Sequence, residues 1–386
     1  MSGWNRNRYI GYAMRKELLK DSKKIVIKIG TSTLTNENGS LNEGLIKNIV
    51  ADICKLCDDN KQVIIVTSGA VGAGMGILNI AQKPKNINQK QALAAVGQVA
   101  LMHLYERIFW AYSKNIAQIL LTRGDFEDRK RYLNARNVCA ALLEKNIIPI
   151  INENDTVVAD ELKVGDNDTL SALVAGLIDA DLLIILSDID GLYDKNPNLY
   201  KDAKIINLVK NIDEDIEKMA GDEGSKFGTG GMKTKIKSAK MTSQIGTNLI
   251  IANGKKDNVL LNVLKDSNEG TLFLANDKKV SLKKYWLAYG AKNKGEVVID
   301  DGAKLALKSG KSLLAVGILD VIGDFHRGEI VEILNNKEII ARGISNYSSK
   351  QISLIKGKKS DEIEQILAYK YEDDIMHADN IVLGKG

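Results

Sequence analysis

The sequence around Lys28 suggests that this residue binds a phosphate. It interrupts an otherwise apolar run, residues 25–29, and Gly30-Thr31-Ser32 follows directly. Because a charge loses its hydration on burial, a lysine in a buried strand needs an anion, and a phosphate beyond the strand end would supply one. The alternative is a lysine whose ammonium reaches the surface along its aliphatic stem. The adjoining glycine and hydroxyl groups favour phosphate binding.

A second lysine, Lys235, ends a glycine-rich segment that leads into a helical pattern. Residues 226–235 read Lys-Phe-Gly-Thr-Gly-Gly-Met-Lys-Thr-Lys. Glycines let backbone N–H groups approach phosphate oxygens, a helix N-terminus favours negative charge, and a lysine supplies a cation. The segment does not match the pattern of P-loop proteins, so the P-loop mechanism is not implied. Lys28 and Lys235 could hold a phosphate chain from two sides, an arrangement suited to phosphoryl transfer.

Three Asx residues, Asp166, Asn167 and Asp168, stand between a glycine and another helical pattern. One of them would be enough to cap the helix, since Asn and Asp favour that position. Three exceed that need. Spare carboxylates beside lysines could orient the lysines, hold an amino group, or coordinate Mg²⁺ through water.

Short apolar runs that alternate with helical patterns must position these residues. Such runs suit strands that are buried on both faces, and the alternation predicts an α/β fold, a three-layer sandwich with a mostly parallel sheet. The predicted strands are residues 25–29, 63–66, 116–121, 147–151, 182–186 and 249–252. The predicted helices are residues 45–56, 89–110, 132–144, 170–178 and 232–244.

Polar motifs follow four of the predicted strands. They are Gly30-Thr31-Ser32, Thr67-Ser68-Gly69-Ala70, Asn152-Glu153-Asn154-Asp155 and Ser187-Asp188. A single glycine or hydroxyl at a strand end would be ordinary turn chemistry. Because parallel sheets bind ligands beyond the carboxyl ends of their strands, four such motifs at one edge predict a site.

Length and composition limit the number of domains and the classes of protein to which the chain could belong. At 386 residues the chain exceeds the size at which one hydrophobic core usually stops growing, which favours two domains. The net charge of +5, from interleaved basic and acidic residues, does not indicate general nucleic-acid binding. No run approaches the roughly 20 apolar residues of a membrane span, and residues 1–24 lack the apolar segment of a secretory signal. We therefore expect a cytoplasmic protein, in which Cys54 and Cys57 are structural.

The pattern changes after about residue 274. A lysine-rich stretch is followed by short predicted strands at residues 296–299, 313–316, 330–334 and 339–341, with turn-like Asp300-Asp301-Gly302 and Asn335-Asn336 between them. We predict an N-terminal extension over residues 1–23, a catalytic domain over 24–275, a linker over 276–294, and a β-rich domain with a C-terminal tail over 295–386.

In their order and spacing the motifs resemble the amino acid kinase family, and within it the members that phosphorylate glutamate. The resemblance covers nearly the whole chain from about Lys24. The segments that carry it are residues 66–70, 121–123, 132–136, 151–155, 163–168 and 228–235. Each segment alone is weak evidence for the family, whereas the order and spacing of all of them together are specific to it.

The resemblance implies roles for particular residues. Lys28 and Lys235 would contact the phosphates of ATP, and Asp168 would hold the two lysines in place as the third member of the catalytic set. The other implied ATP-binding residues are Ser187, Asp188, Thr229, Gly230, Gly231, Met232, Lys233 and Thr234. The implied glutamate-binding residues are Ser68, Asp155, Asn167 and, beside it, Asp166. The physical interpretation agrees for Asp155, because a carboxylate can pair with the substrate ammonium.

The implied reaction transfers a phosphoryl group from ATP, with Mg²⁺, to the side-chain carboxylate of L-glutamate, the first step of proline biosynthesis. A glutamate side chain with a pKa of about 4.3 is ionised at neutral pH, so no general base is required. The barrier lies in bringing two anions together, a task for lysines, backbone amides and Mg²⁺. We expect Mg²⁺ to be held mainly by ATP phosphates and water, and assign it no protein ligand.

The resemblance also implies a homo-oligomer and proline as a feedback inhibitor. Because the product is an acyl phosphate, prone to hydrolysis and cyclisation, transfer to a glutamyl phosphate reductase is a further hypothesis. Aspartate, acetylglutamate, carbamate and nucleoside monophosphate kinases share the nucleotide half of the site, and Asp155 and the Asn167 region separate the glutamate hypothesis from them. A different class of function is an RNA-binding or regulatory protein on a kinase scaffold. The presence of Lys28, Asp168 and Lys235 argues against it.

The C-terminal portion, from Gly295 to about Tyr371, resembles the PUA domain. Lys294-Gly295-Glu296, Asp301-Gly302-Ala303 and Arg327-Gly328-Glu329 carry that resemblance. In RNA-modifying proteins the domain binds RNA. Here the basic excess is small and aromatic residues are few, so an assembly or regulatory role is at least as well supported.

Overall fold

The computed structural model describes residues 12–36, 40–82, 84–157, 166–197, 199–219, 231–265, 269–276, 280–290 and 292–384. They belong to two compact units. Unit 1 lies within Met1–Asp125 and Lys130–Lys279, and unit 2 within Phe126–Arg129 and Val280–Gly386. No helix of the described residues is long and apolar enough to cross a membrane.

Unit 1 contains a sheet of eight strands. Their bounds are β1 Lys24–Ile29, β2 Gln62–Thr67, β3 Ile116–Leu121, β4 Ile148–Glu153, β5 Leu182–Ser187, β6 Leu208–Val209, β7 Asn248–Asn253 and β8 Thr271–Phe273. The order is β3-β4-β2-β1-β5-β7-β8-β6, and every pair is parallel except β7 with β8. The six predicted strands and the mostly parallel sheet are confirmed.

Helices accompany the strands of unit 1, and residues 126, 127 and 129, which lie in two of them, belong to unit 2. Their bounds are α1 Tyr12–Leu19, α2 Thr31–Leu34, α3 Glu43–Asp58, α4 Ala70–Ile77, α5 Ile87–Trp110, α6 Arg123–Glu127, α7 Arg129–Glu144, α8 Asn167–Ile178, α9 Glu214–Met219, α10 Met232–Gln244 and α11 Val259–Asn262. In α3 the side chain of Asn42 caps the first turn by accepting from the N–H of Leu45 at 3.1 Å. Most of the apolar residues that predicted this helix, among them Ile46, Ile49 and Ile53, are buried.

The core of unit 1 fixes the strand ends at one edge. Apolar side chains of β1, β2 and β5 are buried, and each fully buried Ile or Leu contributes about 1.5–3 kcal/mol. The parallel register pairs Ile29 at the end of β1 with Thr67 in β2 and Leu186 in β5. The segments that follow β1, β2, β4 and β5 therefore leave the sheet at the same edge, as predicted.

The described end of the N-terminal extension folds against unit 1. Leu19 of α1 is buried in the core, and Arg15, 4% exposed, donates to the backbone carbonyl of Glu269 at 2.8 Å. Arg15 and Leu19 thus contribute to the packing of this unit.

Unit 2 contains a second sheet. Its strands are β9 Glu296–Ile299, β10 Ile318–Ile322, β11 Ile330–Asn335, β12 Glu338–Ile344 and β13 Ile381–Leu383, in the order β10-β9-β11-β12-β13. Its helices are α12 Leu282–Tyr285, α13 Asp301–Lys308, α14 Ser349–Ile355 and α15 Ile363–Leu367, with a π-helix at Trp286–Gly290 and 3-10 turns at Ala315–Gly317 and Ala378–Asn380. Residues 282–290, within the predicted linker, are helical.

Two local predictions in unit 2 are wrong. The strand predicted at residues 313–316 is a single bridge from Leu313 to Met376 followed by a 3-10 turn, and the strand begins only at Ile318. The turn predicted at Asp300 is the start of α13, where the Asp300 carboxylate accepts from the N–H of Ala303 at 2.7 Å. Aspartate before a glycine serves turns and helix N-caps alike, so the residue types did not distinguish them.

Candidate active site

A buried carboxylate joins the two predicted phosphate-binding lysines. Asp168 Oδ1 lies 2.7 Å from Lys28 Nζ, and Asp168 Oδ2 lies 3.0 Å from Lys235 Nζ. The three side chains come from β1, the first turn of α8 and the first turn of α10. They are 8%, 4% and 6% exposed. The structure thus brings together the three residues predicted to be catalytic.

The two ammonium groups decide the ionisation of Asp168. Burial alone would raise the pKa of this carboxyl, but attraction by Lys28 and Lys235 outweighs it and holds the pKa below its ordinary value. Asp168 is therefore an anion at neutral pH and counterbalances one of the two positive charges. The cluster keeps one net positive charge in a buried setting, which suits the binding of a phosphate anion.

The start of α10 fixes Lys235 further. Its Nζ also donates to the carbonyl of Gly231 at 3.0 Å, and Thr234 Oγ1 donates to Asp168 Oδ2 at 2.8 Å. Asp168 Oδ2 therefore receives two donors from the same helical turn. This double contact sets the distance between α8 and α10 at the point where the lysines meet.

Gly30 lies close to the lysine cluster, and Gly69 permits the turn that follows β2. A Cβ on Gly30 would stand 3.3 Å from the Leu186 carbonyl oxygen and 3.4 Å from Lys28 Nζ. Gly69 has φ +91°, in the left-handed region, where it begins α4 directly after Ser68. Side chains at these positions would crowd the lysine or strain the turn.

A network of amide groups lies beside the lysine cluster, one residue before Asp168. Asn167 Nδ2 donates to Ser68 Oγ at 2.6 Å and to the Thr67 carbonyl at 2.9 Å, and makes a longer contact of 3.4 Å to Asn152 Oδ1. Asn152 Nδ2 in turn donates to Gln98 Oε1 at 2.9 Å. Two predicted glutamate-binding residues, Ser68 and Asn167, are therefore in direct contact.

The other two predicted glutamate-binding residues lie at the same edge. Asp155 is half-buried in the turn that follows β4. Asp166 caps α8, and its two carboxylate oxygens accept from the N–H and the hydroxyl of Thr169 at 2.8 and 3.0 Å. The capping interpretation of this Asx cluster therefore holds for Asp166, while Asn167 and Asp168 face the site.

The predicted ATP-binding residues divide between two places. Ser187 is buried at the end of β5, and its hydroxyl donates to the exposed Asp188 at 3.1 Å. Gly231 lies just before α10, and Met232, Lys233 and Thr234 form its first turn. Predicted residues Thr229 and Gly230 lie outside the described residues.

A polar cluster next to Ser187 was not predicted. Asp190 accepts from Asn253 Nδ2 at 3.0 Å and pairs with Lys256 Nζ at 3.1 Å, and Tyr193 OH donates to it at 3.4 Å. Burial acts to raise the pKa of Asp190, but these donors and Lys256 lower it. The signal was present in the sequence, because Asn253-Gly254 follows an apolar run as the other polar motifs do.

Comparison with known proteins identifies two families in the chain. The model of the amino acid kinase family matches residues 23–253, and that of the PUA domain matches residues 295–367. A glutamate 5-kinase of Thermoanaerobacter sp. (strain X514) is 51% identical over 93% of this chain and 97% of its own length.

Two further relatives are similar over comparable lengths. A glutamate 5-kinase of Caldanaerobacter subterraneus subsp. tengcongensis is 52% identical over 93% of this chain and 97% of its own. One of Moorella thermoacetica is 48% identical over 95% of this chain and 97% of its own. This chain therefore belongs to the amino acid kinase family, in its glutamate 5-kinase group, and carries a PUA domain at its C-terminal end.

Proposed function

We propose that this protein transfers the γ-phosphoryl group of ATP to the side-chain carboxylate of L-glutamate, giving L-glutamyl 5-phosphate and ADP in the first step of proline biosynthesis. The observation that carries the proposal is the Lys28–Asp168–Lys235 cluster, which adjoins the amide network of Ser68 and Asn167 through consecutive residues of α8. One part suits phosphates and the other suits an amino acid.

The residues of the site match what this transfer requires. The accepting carboxylate is already ionised at neutral pH, so no side chain has to remove a proton. The obstacle is the repulsion between that carboxylate and the phosphates, which two fixed cations reduce. Asp168 keeps the ammonium groups of Lys28 and Lys235 in place, so that little reorganisation is needed when charge shifts along the phosphate chain.

Mg²⁺ is part of the proposal, bound mainly through the phosphates of ATP and water. Within the described ranges no group of three His, Cys, Asp or Glu residues could hold a metal ion. Asp168 already receives two lysines and Thr234, which leaves it poorly suited to a metal contact. Mg²⁺ ordinarily keeps several waters and binds beside substrate phosphates, so a dedicated protein cage is not needed.

Lys235→Ala is the variant that tests the reaction and the site together. The protein is incubated with Mg-ATP and L-glutamate, ADP release is followed, and hydroxylamine traps the acyl phosphate as the hydroxamate. We expect glutamate-dependent hydroxamate from the wild type and a loss of at least about a hundredfold in the variant, because one of two charge-stabilising donors is removed. Lys237→Ala, an exposed lysine of the same helix, should match the wild type.

A contrary result would separate the parts of the proposal. Turnover of another carboxylate or of a nucleoside monophosphate, with none of glutamate, would overturn the substrate assignment and keep the cluster as the phosphoryl-transfer site. Full activity of Lys235→Ala would remove the lysine from the mechanism.

A second copy of the chain is the partner that the outer face of α5 fits. Val99 and Trp110 are 72% and 73% exposed, and they share one helical stripe with His103 and Glu106. Two such helices can cross antiparallel about a two-fold axis midway between His103 and Glu106. That axis sets Val99 against the partner's Trp110 and His103 against the partner's Glu106. The apolar side chains can then pack together, and the imidazole can hydrogen-bond to the carboxylate.

Trp110→Lys is expected to lower the oligomeric state. Large aromatic side chains often dominate the binding energy of an interface, and a buried lysine opposite Val99 would lack a partner. Light scattering coupled to gel filtration should give a multiple of the 42.3 kDa chain mass for the wild type and a smaller multiple for the variant. Leu305→Lys, an exposed helical leucine of unit 2, is the control. Equal masses for all three proteins would refute this interface.

Further partners follow from the proposed reaction. Its product is an acyl phosphate, prone to hydrolysis and cyclisation, so we propose direct transfer to a glutamyl phosphate reductase. From the family resemblance, and not from the reaction, we also propose inhibition by proline. If the two purified enzymes neither associate nor reduce the release of free intermediate, the transfer proposal fails. Unchanged glutamate turnover in the presence of proline would refute the inhibition.

RNA contact by unit 2 is a second candidate function. The exposed rings of Tyr369 and Tyr371 are 4.9 Å apart, and the guanidinium of Arg327 lies 4.0 Å over Tyr371. Such a group can stack on an RNA base. The sequence did not indicate this, because aromatic residues are few. A tRNA mobility shift at physiological salt that is lost in Tyr369→Ala/Tyr371→Ala would support this function, and no shift would refute it.

A further inference from the structure

Gln98 connects helix α5 to the amide network of the site. Its Oε1 accepts from Asn152 Nδ2 at 2.9 Å, although the two residues are far apart in the sequence. We infer that Gln98 is a positioning residue for the amino-acid substrate, which acts through Asn152 and Asn167 on Ser68. This inference rests on the proposed function, since it concerns how the glutamate half of the site is held.

Two backbone groups determine which way the amides point. The N–H of Glu153, which can only donate, lies 2.9 Å from Asn152 Oδ1. The carbonyl of Thr67, which can only accept, lies 2.9 Å from Asn167 Nδ2. Turning either asparagine amide over would set donor against donor or acceptor against acceptor. Asn152 must therefore donate from its Nδ2 to Gln98, and Gln98 must accept with its Oε1.

The orientation of the amides determines which way the hydroxyl of Ser68 can donate its proton. Because Asn167 Nδ2 donates to Ser68 Oγ at 2.6 Å, the hydroxyl proton of Ser68 is directed elsewhere. It can be donated to a carboxylate oxygen of the substrate. The oxygen of the Asn167 amide is turned away from Ser68 and can accept from the substrate ammonium. A fixed sequence of amide orientations thus gives the pocket one donor and one acceptor for an amino acid.

The position of Gln98 is fixed by the close packing of α5 on α4. A Cβ on Gly97 would stand 1.8 Å from the Ala70 carbonyl oxygen, and one on Gly74 would stand 2.0 Å from the Leu93 carbonyl oxygen. The backbones of the two helices therefore touch at Leu93 and Gly97, in the turn of α5 just before Gln98. A second contact of α5, from Tyr105 OH to Thr67 Oγ1 at 3.1 Å, reaches β2 just before Ser68.

The orientation leaves one group of Gln98 unsatisfied. Its Nε2 is buried and has no hydrogen-bond partner in the described part of the chain. A buried donor without an acceptor destabilises the fold. An apolar side chain of similar length would remove this donor but would leave the buried Asn152 amide without its acceptor. The acceptor that Gln98 offers to Asn152 therefore explains the glutamine.

Gln98→Met tests the inference in the full-length protein. We expect its KM for glutamate to rise about tenfold, the size of one lost hydrogen bond, with its KM for ATP within about twofold of wild type. Gln89→Met, the same change at an exposed position of α5, should have neither effect. Because Gln98 acts through Asn152, adding Gln98→Met to Asn152→Ala should raise the KM for glutamate no further.

Several results would overturn the inference. They are an unchanged KM for glutamate in Gln98→Met, a parallel rise of both KM values, or effects of Gln98→Met and Asn152→Ala that multiply. If Gln98→Met does not fold, Gln98→Asn withdraws the amide by one methylene and carries the same expectation, with a rise of about threefold. Absence of glutamate turnover in the wild type would instead refute the proposed function.

Discussion

Asp168→Asn is expected to lower kcat about a hundred- to a thousandfold, measured by hydroxamate formation with glutamate and ATP saturating. An asparagine presents one oxygen, which can accept from Lys28 or from Lys235. Its amide hydrogens then face the other ammonium. The two lysines would no longer be held 2.7 and 3.0 Å from a common anion, and their geometry around the phosphates would be lost. The KM for glutamate should change less, because Asn167 keeps its own contacts.

Asp52→Asn is the matched control for this variant. Asp52 of α3 is also a buried aspartate, 3% exposed, and its carboxylate accepts from the N–H of Leu260 at 3.3 Å. Burial raises the pKa of Asp52, in contrast to that of Asp168. The same chemical change at Asp52 should leave kcat unaltered. If Asp168→Asn kept most of its kcat, the carboxylate would not be the group that organises the lysines.

The difference in stability between the wild type and Asp168→Asn should depend on pH in a direction set by the lowered pKa of Asp168 in the wild type. An aspartate that is more acidic in the folded than in the unfolded chain contributes stability above its unfolded pKa, about 3.9, and loses that contribution as the pH falls through the folded value. The wild type should therefore melt at a higher temperature than the variant, by a constant margin between pH 6 and 8. The margin should shrink only below about pH 4.

The inner strands of the unit 1 sheet were predictable because they are buried on both faces. Such strands require continuous apolar runs, and the runs at β1 and β5 have few other interpretations. The short strands β6 and β8, of two and three residues, were not predicted, since so few residues carry no periodic pattern. The strands of unit 2 have less continuous apolar runs, so their sequence patterns are weaker. The prediction of a strand at residues 313–316 was wrong.

The candidate site was predictable in part for a similar reason. Parallel strands end at one edge, so the motifs after β1, β2, β4 and β5 had to meet there. The participation of Gln98 and Tyr105 could not be read from the sequence. Both lie on a helix whose position depends on backbone contacts at Gly74 and Gly97, and a glycine in a helical pattern does not reveal its neighbour.

Lys28→Met should lower kcat at least about a hundredfold and leave the fold intact. Lys28 lies in β1 among buried apolar residues, so methionine, of similar length, can occupy its place. Asp168 would keep Lys235 and Thr234 as partners. Lys24→Met is the control, because Lys24 starts the same strand and donates to the Ile178 carbonyl at 3.0 Å. It should keep full activity.

Comparing Lys28→Met with Asp168→Asn separates charge from position. Removal of Asp168 leaves two buried cations without their shared anion, and breaking a buried pair in this way costs about 3–5 kcal/mol of stability. Removal of Lys28 leaves an anion that is still paired. If the lysine acts by its charge on the phosphates, Lys28→Met loses activity with little change in melting temperature, whereas Asp168→Asn loses both. A large fall in the melting temperature of Lys28→Met would mean that this lysine holds the fold together and would weaken its assignment to catalysis.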